Sequence, residues 1–297
     1  MHGVLLVDKP RGWTSHDVVA WIRRRLGGGA VGHGGTLDPA AEGLLLIAVG
    51  VATRLLQHAI DADKSYVAHI VLGTGTTTDD IEGEPTTSQS PTRIPTSEDI
   101  ERGLQRFQGT IDQVPPVYSA LKVRGVAAYR QARRGAPVEL HPRQVTVHRV
   151  RLLRYEYPDL YLAIDCGKGF YVRAFARDLG TVVGTGGYLH GLVRTRIGRF
   201  TLAEAWRLDE LERHLTPIAW PLLALHPDAL IQHLPILIVA EPQLAAWYHG
   251  APVRSVVAAS GQTLARAYAP DGTWIGLARY DSKRRLWHPE LVHRDRA

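Results

Sequence analysis

The chain has 297 residues, of which 45% are hydrophobic, and this length and composition suit one large globular domain with a smaller second one. Its formal net charge of +6 favours a polyanionic partner such as nucleic acid. Its single cysteine, Cys166, excludes an intramolecular disulfide and a cysteine-rich zinc site. The apolar runs are too short for a membrane helix of roughly 20 residues or for a signal peptide, so we expect a protein of the reducing cytoplasm with no membrane contact.

The amino-terminal half is predicted to alternate strands and helices. Two threonines are each followed three residues later by an aspartate, the pattern of a helix capping box (Thr14 with Asp17, Thr96 with Asp99). Alternating or continuous apolar runs indicate strands. The predicted elements are a buried strand at 4–7, a helix at about 17–26, a strand at about 65–72 and a helix that begins after residue 96.

In the second half, a proline-stiffened loop, "VPPVYSALK", leads into a predicted helix that places Arg130, Arg133 and Arg134 on one face. Strands are predicted around 144–154 and 160–165, followed by a helix within "GKGFYVRAFARDLG". Prolines recur from 217 to 242, which is typical of a crossing between domains. The last 60 or so residues consist of short strand-like runs and turns, the pattern of a small β-barrel. The fold class predicted from these elements is α+β, with a small all-β domain appended.

The stretch "VGHGGTLDPAAEGLLLI" contains a single aspartate, Asp38, between a glycine-rich turn and a proline. In one interpretation Asp38 is a helix N-cap and Pro39 the first residue of that helix. In the other, the glycines allow close approach of a ligand, and His33 and Asp38 face it. The local sequence alone does not decide between them.

"GKGFYVRAFARDLG" also has two interpretations. Arg173 and Arg177 are either solvated arginines one turn apart, or Arg173 pairs with a carboxylate. The acids Asp79, Asp80 and Glu82 lack histidines and regular ligand spacing, so we interpret them as a solvated turn rather than a metal site.

Six stretches, taken in order along nearly the whole chain, resemble the motifs of one family, the bacterial tRNA pseudouridine synthase B family. The stretches are "GVLLVDKPRGWTSHDVV", "GHGGTLDPAAEGLLLIAVG", "DKSYVAHIVLG", "PPVYSALKVRGVAAYRQARRG", "CGKGFYVRAFARDLG" and "LHGLVRTRIGRF". The final segment resembles the small RNA-binding barrel called PUA. Three departures stand out: the family usually has threonine where Gly34 stands, a leucine- and threonine-containing stretch where "PAAEG" stands, and commonly arginine where Val193 stands.

The resemblance implies a pseudouridine synthase fold, with a mixed, mostly antiparallel central sheet flanked by helices, and isomerisation of the T-loop uridine numbered 55 in tRNA. It assigns Asp38 as the nucleophile, Tyr66 as the aromatic residue against the uracil and Arg173 as the partner of the Asp38 carboxylate. Asp38 is expected either to attack C1′ of the ribose or to remove a proton from C2′. The residues implied to contact RNA are His33, Tyr66, Tyr171, Leu192, Lys9, Lys122, Arg130, Arg133 and Arg134.

The implied domains are a catalytic domain at 1–233, with an RNA-gripping insertion at about 115–143, and a PUA-like domain at 234–297. The expected partner is the T arm of tRNA, bound by a monomer without a cofactor, a metal or an obligate protein partner. Three alternatives compete: a non-catalytic RNA-binding protein on the same scaffold, a guide-RNA-dependent synthase, and a metal-dependent nuclease.

Overall fold

The computed structural model describes residues 1–86, 93–119, 121–123, 126–127, 140–255 and 263–294, with only the backbone described at 122–123 and 126–127. The side chains of Lys122, Arg130, Arg133 and Arg134, which were predicted to contact RNA, therefore lie outside the described residues. None of the helices in the described ranges is long and apolar enough to cross a membrane.

The strands account for most of the regular structure. They are β1 (Gly3–Lys9), β2 (Val31–His33), β3 (Ala41–Val49), β4 (Lys64–Leu72), β5 (Gly109–Gln113), β6 (Lys122–Val123), β7 (Val126–Ala127), β8 (Arg143–Glu156), β9 (Asp159–Cys166), β10 (Gly187–Ile197), β11 (Phe200–Thr201), β12 (Trp206–Arg207), β13 (Ile236–Ile238), β14 (Leu264–Tyr268), β15 (Trp274–Asp281) and β16 (Leu286–Val292).

The α-helices are short and lie between the strands. They are α1 (Ser15–Arg25), α2 (Leu56–Asp61), α3 (Ser97–Gln105), α4 (Val172–Val182), α5 (Leu208–His214), α6 (Trp220–Leu223) and α7 (Glu241–Tyr248). Helices α1 and α3 begin at Thr14 and Thr96, and both predicted capping boxes are formed.

The main sheet has the strand order β12-β1-β3-β10-β4-β9-β8-β5, with β2 paired to β3 and β11 paired to β10. Only the pairs β1–β12 and β3–β10 are parallel. A mixed, mostly antiparallel sheet flanked by helices was predicted, and this prediction is confirmed. The adjacent, parallel strands β3 and β10 bring residues near 41 and 192 together, although they are far apart in the sequence.

Helices pack on the main sheet because each buries one apolar stripe. Helix α4 buries Val172, Phe175, Ala176 and Leu179, the predicted stripe, against the apolar side chains of β4, β8 and β9. Helix α1 packs in the same way on β1 and β3. Arg173 lies in the first turn of α4 and is itself buried, with 8% of the residue exposed.

A second sheet, β13-β14-β15-β16, forms the carboxy-terminal part. Trp274, Leu277 and Leu291 of this sheet share one apolar cluster with Val4 and Leu6 of β1. Because burial of apolar side chains stabilises packed elements, this shared cluster fixes the second sheet on the first.

Candidate active site

The segment from Gly34 to Ala40 is a connection between β2 and β3, and Asp38 lies in it. The interpretation of Asp38 as a helix N-cap is therefore wrong: residues 41–49 form a strand that pairs with β10 at 41–43 and with β1 at 43–49, so the apolar run belongs to the sheet core. The Asp38 carbonyl accepts from the amide of Ala41 at 3.0 Å, which closes a tight turn into the strand.

This connection is held from two sides. Ser15, the first residue of α1, accepts a hydrogen bond from the amide of Leu37 at 2.8 Å and donates one to its carbonyl at 3.1 Å. The amide of Gly12 donates to the carbonyl of Pro39 at 2.8 Å. Asp38 therefore stands between two anchored neighbours, which restricts the positions that its carboxylate can take.

A buried arginine braces the same connection from below. The guanidinium of Arg194, on β10, donates to the carbonyls of Gly35 at 3.0 Å, Thr36 at 3.3 Å and Leu44 at 2.8 Å. The residue is 1% exposed. Since a buried guanidinium must be satisfied by hydrogen bonds, its fork fixes the backbone of the loop on the edge of β3.

Arg173 lies beside Asp38, as the sequence predicted. One guanidinium nitrogen lies 3.1 Å from an Asp38 carboxylate oxygen and also donates to the carbonyl of Tyr118 at 2.9 Å. The other terminal nitrogen lies 3.3 Å from a carboxylate oxygen of Asp80. The side chain of Arg173 is 9% exposed, so little water competes with these contacts.

The interpretation of residues 79–82 as a solvated turn is wrong for the two aspartates. The side chain of Asp80 is 7% exposed and pairs with Arg173, and Asp79 accepts from Arg177 at 2.8 Å. Neither arginine of α4 is a free solvated side chain. The turn instead supplies carboxylates that bind both arginines, and Asp80 shares Arg173 with Asp38.

The electrostatic environment of Asp38 contains opposing contributions. Partial burial raises the pKa of its carboxyl, and the neighbouring Asp80 raises it further, whereas the charges of Arg173 and Lys9 lower it. The side chain remains 41% exposed, so a substrate can reach the carboxylate from the outside. The Asp38 carboxylate is therefore accessible to a substrate and is held in position by the buried guanidinium of Arg173.

Tyr66, on β4, is 9% exposed and lies beside Arg194, its partner across the β4–β10 pair. Burial raises the pKa of its phenol, and the charge of Arg194 opposes this only in part. A phenol with a raised pKa is ionised even less at neutral pH than a free tyrosine, so less of the phenolate that could accept a proton is present. Tyr66 is thus suited to contact a nucleobase with its ring rather than to accept a proton.

Lys9 was predicted to contact RNA, but the structure contradicts this. The residue is 0% exposed, and its ammonium donates to the carbonyls of Trp13 at 2.7 Å and Pro10 at 3.0 Å. Burial lowers the pKa of Lys9 to about 8, although Glu42 and Asp38 favour its charged form. Lys9 therefore fixes the turn that follows β1 and contributes a cation beneath Asp38.

Three further predicted residues border this region. Tyr171 is the N-cap of α4, and the buried Gln113 holds it with two hydrogen bonds, from the Tyr171 amide at 2.9 Å and to its carbonyl at 3.1 Å. Leu192, on β10, pairs with Ala41, the first residue of β3. His33 ends β2, and burial lowers the pKa of its imidazole, which favours the neutral form. All three side chains are half-buried.

The residues that sequence reasoning missed are Asp80, Arg194 and Gln113 as parts of this site. Asp80 lay in a recognised acidic cluster, but no sequence signal tied it to Arg173. Arg194 stood in the recognised stretch "LHGLVRTRIGRF", and an arginine within an apolar strand pattern was the available signal of a buried, functional cation.

Comparison with known proteins gives a consistent result. A model of the TruB family pseudouridylate synthase N-terminal domain matches residues 23–172. A protein of Trichormus variabilis called tRNA pseudouridine synthase B is 44% identical over 253 residues, which cover 84% of this chain and 85% of that protein. A protein of the same name from Pseudomonas paraeruginosa is 40% identical over 98% of this chain and 95% of its own length.

Among solved structures, a Cbf5-Nop10-Gar1 complex contains a chain that superimposes with a TM-score of 0.73 at 25% identity, covering 98% of this chain and 84% of that one. A structure of an H/ACA RNP bound to a substrate RNA containing 2′-deoxyuridine gives a TM-score of 0.74 at 25% identity over 99% and 86% of the two chains. The family model, the relatives and the fold agree: the chain belongs to the TruB family of pseudouridylate synthases.

Proposed function

We propose that this protein converts the uridine at position 55 of the tRNA T loop to pseudouridine, with Asp38 as the nucleophile. The observation that carries the proposal is the Asp38–Arg173 pair, in which a carboxylate on an anchored turn is 41% exposed while its cation is 9% exposed. Nucleophile and substrate can meet, and the positioning cation is protected from water. The relatives' name, tRNA pseudouridine synthase B, supports tRNA as the substrate.

The isomerisation breaks the bond from ribose C1′ to uracil N1 and joins C1′ to C5 instead. N1 gains a proton and C5 loses one, so atoms and electrons balance without an added reagent. An ionised carboxylate can serve without a separate base to activate it. Asp38 either attacks C1′ or removes the C2′ proton, and in both routes Arg173 favours the charged form that reacts.

The target base must leave the stack of its loop to reach Asp38, which costs a few kcal/mol. His33 lies at the end of β2, directly before the Asp38 connection. Because burial favours its neutral form, the ring can fill the vacated space without placing a charge there. Tyr66 and Leu192 contact the flipped uridine in this proposal, and Tyr171 contacts a neighbouring nucleotide.

We also propose that residues 234–297 form a PUA-like RNA-binding module, and that Lys122, Arg130, Arg133 and Arg134 in the insertion at about 115–143 bind phosphates. The basic composition supports this, since contacts from lysine and arginine dominate the affinity of proteins for RNA backbones. In this proposal the protein acts in the cytoplasm as a monomer, without a guide RNA, a protein partner or a cofactor.

Release of tritium from tRNA transcript labelled at uridine C5 tests the reaction, with purified protein alone, in EDTA, and with Asp38→Asn and Asp38→Glu in parallel. We expect wild-type protein to release tritium, mapped to the T-loop uridine, and Asp38→Asn to release none while it still binds tRNA. Release at another uridine would refute the T-loop specificity. Binding without release by wild type would favour the guide-dependent or non-catalytic alternatives.

A further inference from the structure

At strands β10, β4, β9 and β8, one face of the main sheet is not buried by any helix of the described residues. Along β4 and β9, burial alternates strictly, with every second residue in the core beneath α4 and the residues between them half-exposed. Such alternation is typical of a sheet with one packed and one solvated face. We call the solvated face of β10, β4, β9 and β8 the open face.

A row of rings crosses the open face from strand to strand. The rings of Tyr161 on β9 and His69 on β4 are stacked in parallel, with centroids 4.3 Å apart and planes inclined by 10°. His190, in the bulge of β10, lies 4.6 Å from His69, and Tyr188 lies 6.4 Å from His190. All four side chains are half-exposed.

Arginines flank the rings at the β8 side of the open face. Arg154 pairs with Tyr161 across the strands, Arg151 with Ala163 and Arg149 with Asp165. All three arginines are exposed. Arg154 is bound to Glu156 at 2.7 Å, whereas Arg149 and Arg151 have no ion pair or hydrogen bond to another side chain within the ranges that the structure describes.

The acids of this face are already engaged. Asp159 lies 2.6 Å from the imidazole of His69, and Asp165 lies 3.6 Å from the guanidinium of Arg196. The pairing strands place small or half-exposed apolar residues between the rings and the arginines, namely Ala163, Val67 and Val193. The open face is thus flat at its centre, with rings along one side and two available cations at its edge.

The ring row also leads toward the active site. Burial lowers the pKa of His190, and the nearby charges of His69 and Arg11 lower it further. Gly12, next to Arg11, donates to the carbonyl of Pro39, which follows Asp38 in the chain. An RNA that enters the active site can therefore extend along this side of the turn at residues 10–13 onto the open face.

Sheet faces that carry rings and arginines bind single-stranded or looped RNA, since bases stack on rings and phosphates pair with guanidinium groups. Interfaces between proteins have centres depleted of charge, whereas nucleic-acid surfaces are basic. We propose that the open face is a further RNA-binding surface, which contacts unpaired nucleotides and phosphates of the substrate tRNA outside the target loop. This inference rests on the proposed function.

The test compares two RNAs, an isolated T-arm hairpin and the full-length tRNA transcript, each bound to wild type and to the double variant Arg149→Glu, Arg151→Glu at several salt concentrations. We expect the variant to bind full-length tRNA about tenfold or more weakly, with a salt slope reduced by about 1.4–1.8 for two lost phosphate contacts. Binding of the hairpin and the rate at saturating RNA should not change. Tyr161→Ala tests the rings and should weaken only the binding of full-length tRNA.

The matched control is Arg24→Glu, Arg213→Glu, which makes the same change in charge at two exposed arginines on α1 and α5, helices that pack on β1 and not on the open face. If this control weakens tRNA binding as much as the test variant, the effect is general electrostatics and the proposal is refuted. Equal losses for hairpin and full-length tRNA, or no loss for either, also refute it. Absence of pseudouridine from both the hairpin and the full-length tRNA with wild-type protein would instead refute the proposed function, and the binding comparison would still stand.

Discussion

Arg194 offers the sharpest test of how the fold positions the nucleophile. Its guanidinium donates to the carbonyls of Gly35, Thr36 and Leu44, and the residue is 1% exposed. In Arg194→Met these acceptors lose their partner, at about 1–3 kcal/mol for each buried group. Because removal of the buried charge recovers part of this cost, we expect a net loss of about 3–5 kcal/mol in the free energy of unfolding.

A loop released from Arg194 no longer holds Asp38 in one place. A displacement of about 1 Å costs roughly 100-fold in rate, so we expect the single-turnover rate to fall by about this factor while the Kd for tRNA changes little. Arg194→Lys keeps the charge but can bond fewer of the three carbonyls, and its rate should lie between those of wild type and Arg194→Met.

The assay combines tritium release under single-turnover conditions, tRNA binding and thermal unfolding. Arg24→Met, at an exposed arginine of α1, is the control and should leave all three unchanged. If Arg194→Lys loses stability but keeps the wild-type rate, the guanidinium supports the fold alone and the positioning argument is wrong. A large rise in Kd at an unchanged rate would also refute it.

Three further results are expected. Asp80→Asn removes a negative charge that raises the pKa of Asp38, so the acid limb of the pH–rate profile should move to lower pH. The rate should fall about 10- to 100-fold, because Arg173 loses one of its two carboxylate partners. An unchanged acid limb would contradict this prediction. Gly34→Thr places a β-carbon 3.0 Å from that of Ala59 and should lower the free energy of unfolding by about 1–3 kcal/mol in urea titrations. Adding Ala59→Gly should restore part of this loss, and no restoration would show that crowding against Ala59 is not its cause. Burial lowers the pKa of Lys9 to about 8 in the folded protein, from 10.5. Between these two pH values the unfolded chain holds more protons, so the free energy of unfolding rises with pH. Lys9→Met should flatten that rise, and equal slopes for the variant and the wild type would disprove the lowered pKa of Lys9.

Local patterns were enough to predict most elements of this fold. The capping boxes at Thr14 and Thr96 form because a side chain three residues away satisfies free amides, which needs no tertiary contact. The strict alternation at 64–72 similarly reports a sheet with one buried face. The resemblance in turn placed Asp38 beside Arg173, which the ion pair of 3.1 Å confirms.

Local patterns failed where long-range pairing decides the structure. Asp38 followed by Pro39 is a good helix start, yet residues 41–49 are a strand because β1 pairs along one edge and β10 and β2 pair along the other. Lysine is usually a surface residue, yet Lys9 is 0% exposed, because carbonyls of the turn after β1 surround its ammonium. The hydrogen-bond partners of Lys9 are local in sequence, whereas its strand pairing with Gly43 of β3 is not, so no window of residues around Lys9 reveals that it is buried.

The three buried cations of this site explain why its loop is rigid without being helical. Lys9, Arg173 and Arg194 each donate to backbone carbonyls around the Asp38 connection, at 2.7–3.4 Å. Each would be costly to bury alone, and only Arg173 and Lys9 act on the charge of Asp38. The cations that stabilise the loop are therefore partly distinct from those that shift the pKa of the Asp38 carboxylate. Arg194 variants should accordingly lower the rate without moving the pH–rate profile, whereas Asp80 variants should lower the rate and also move the profile.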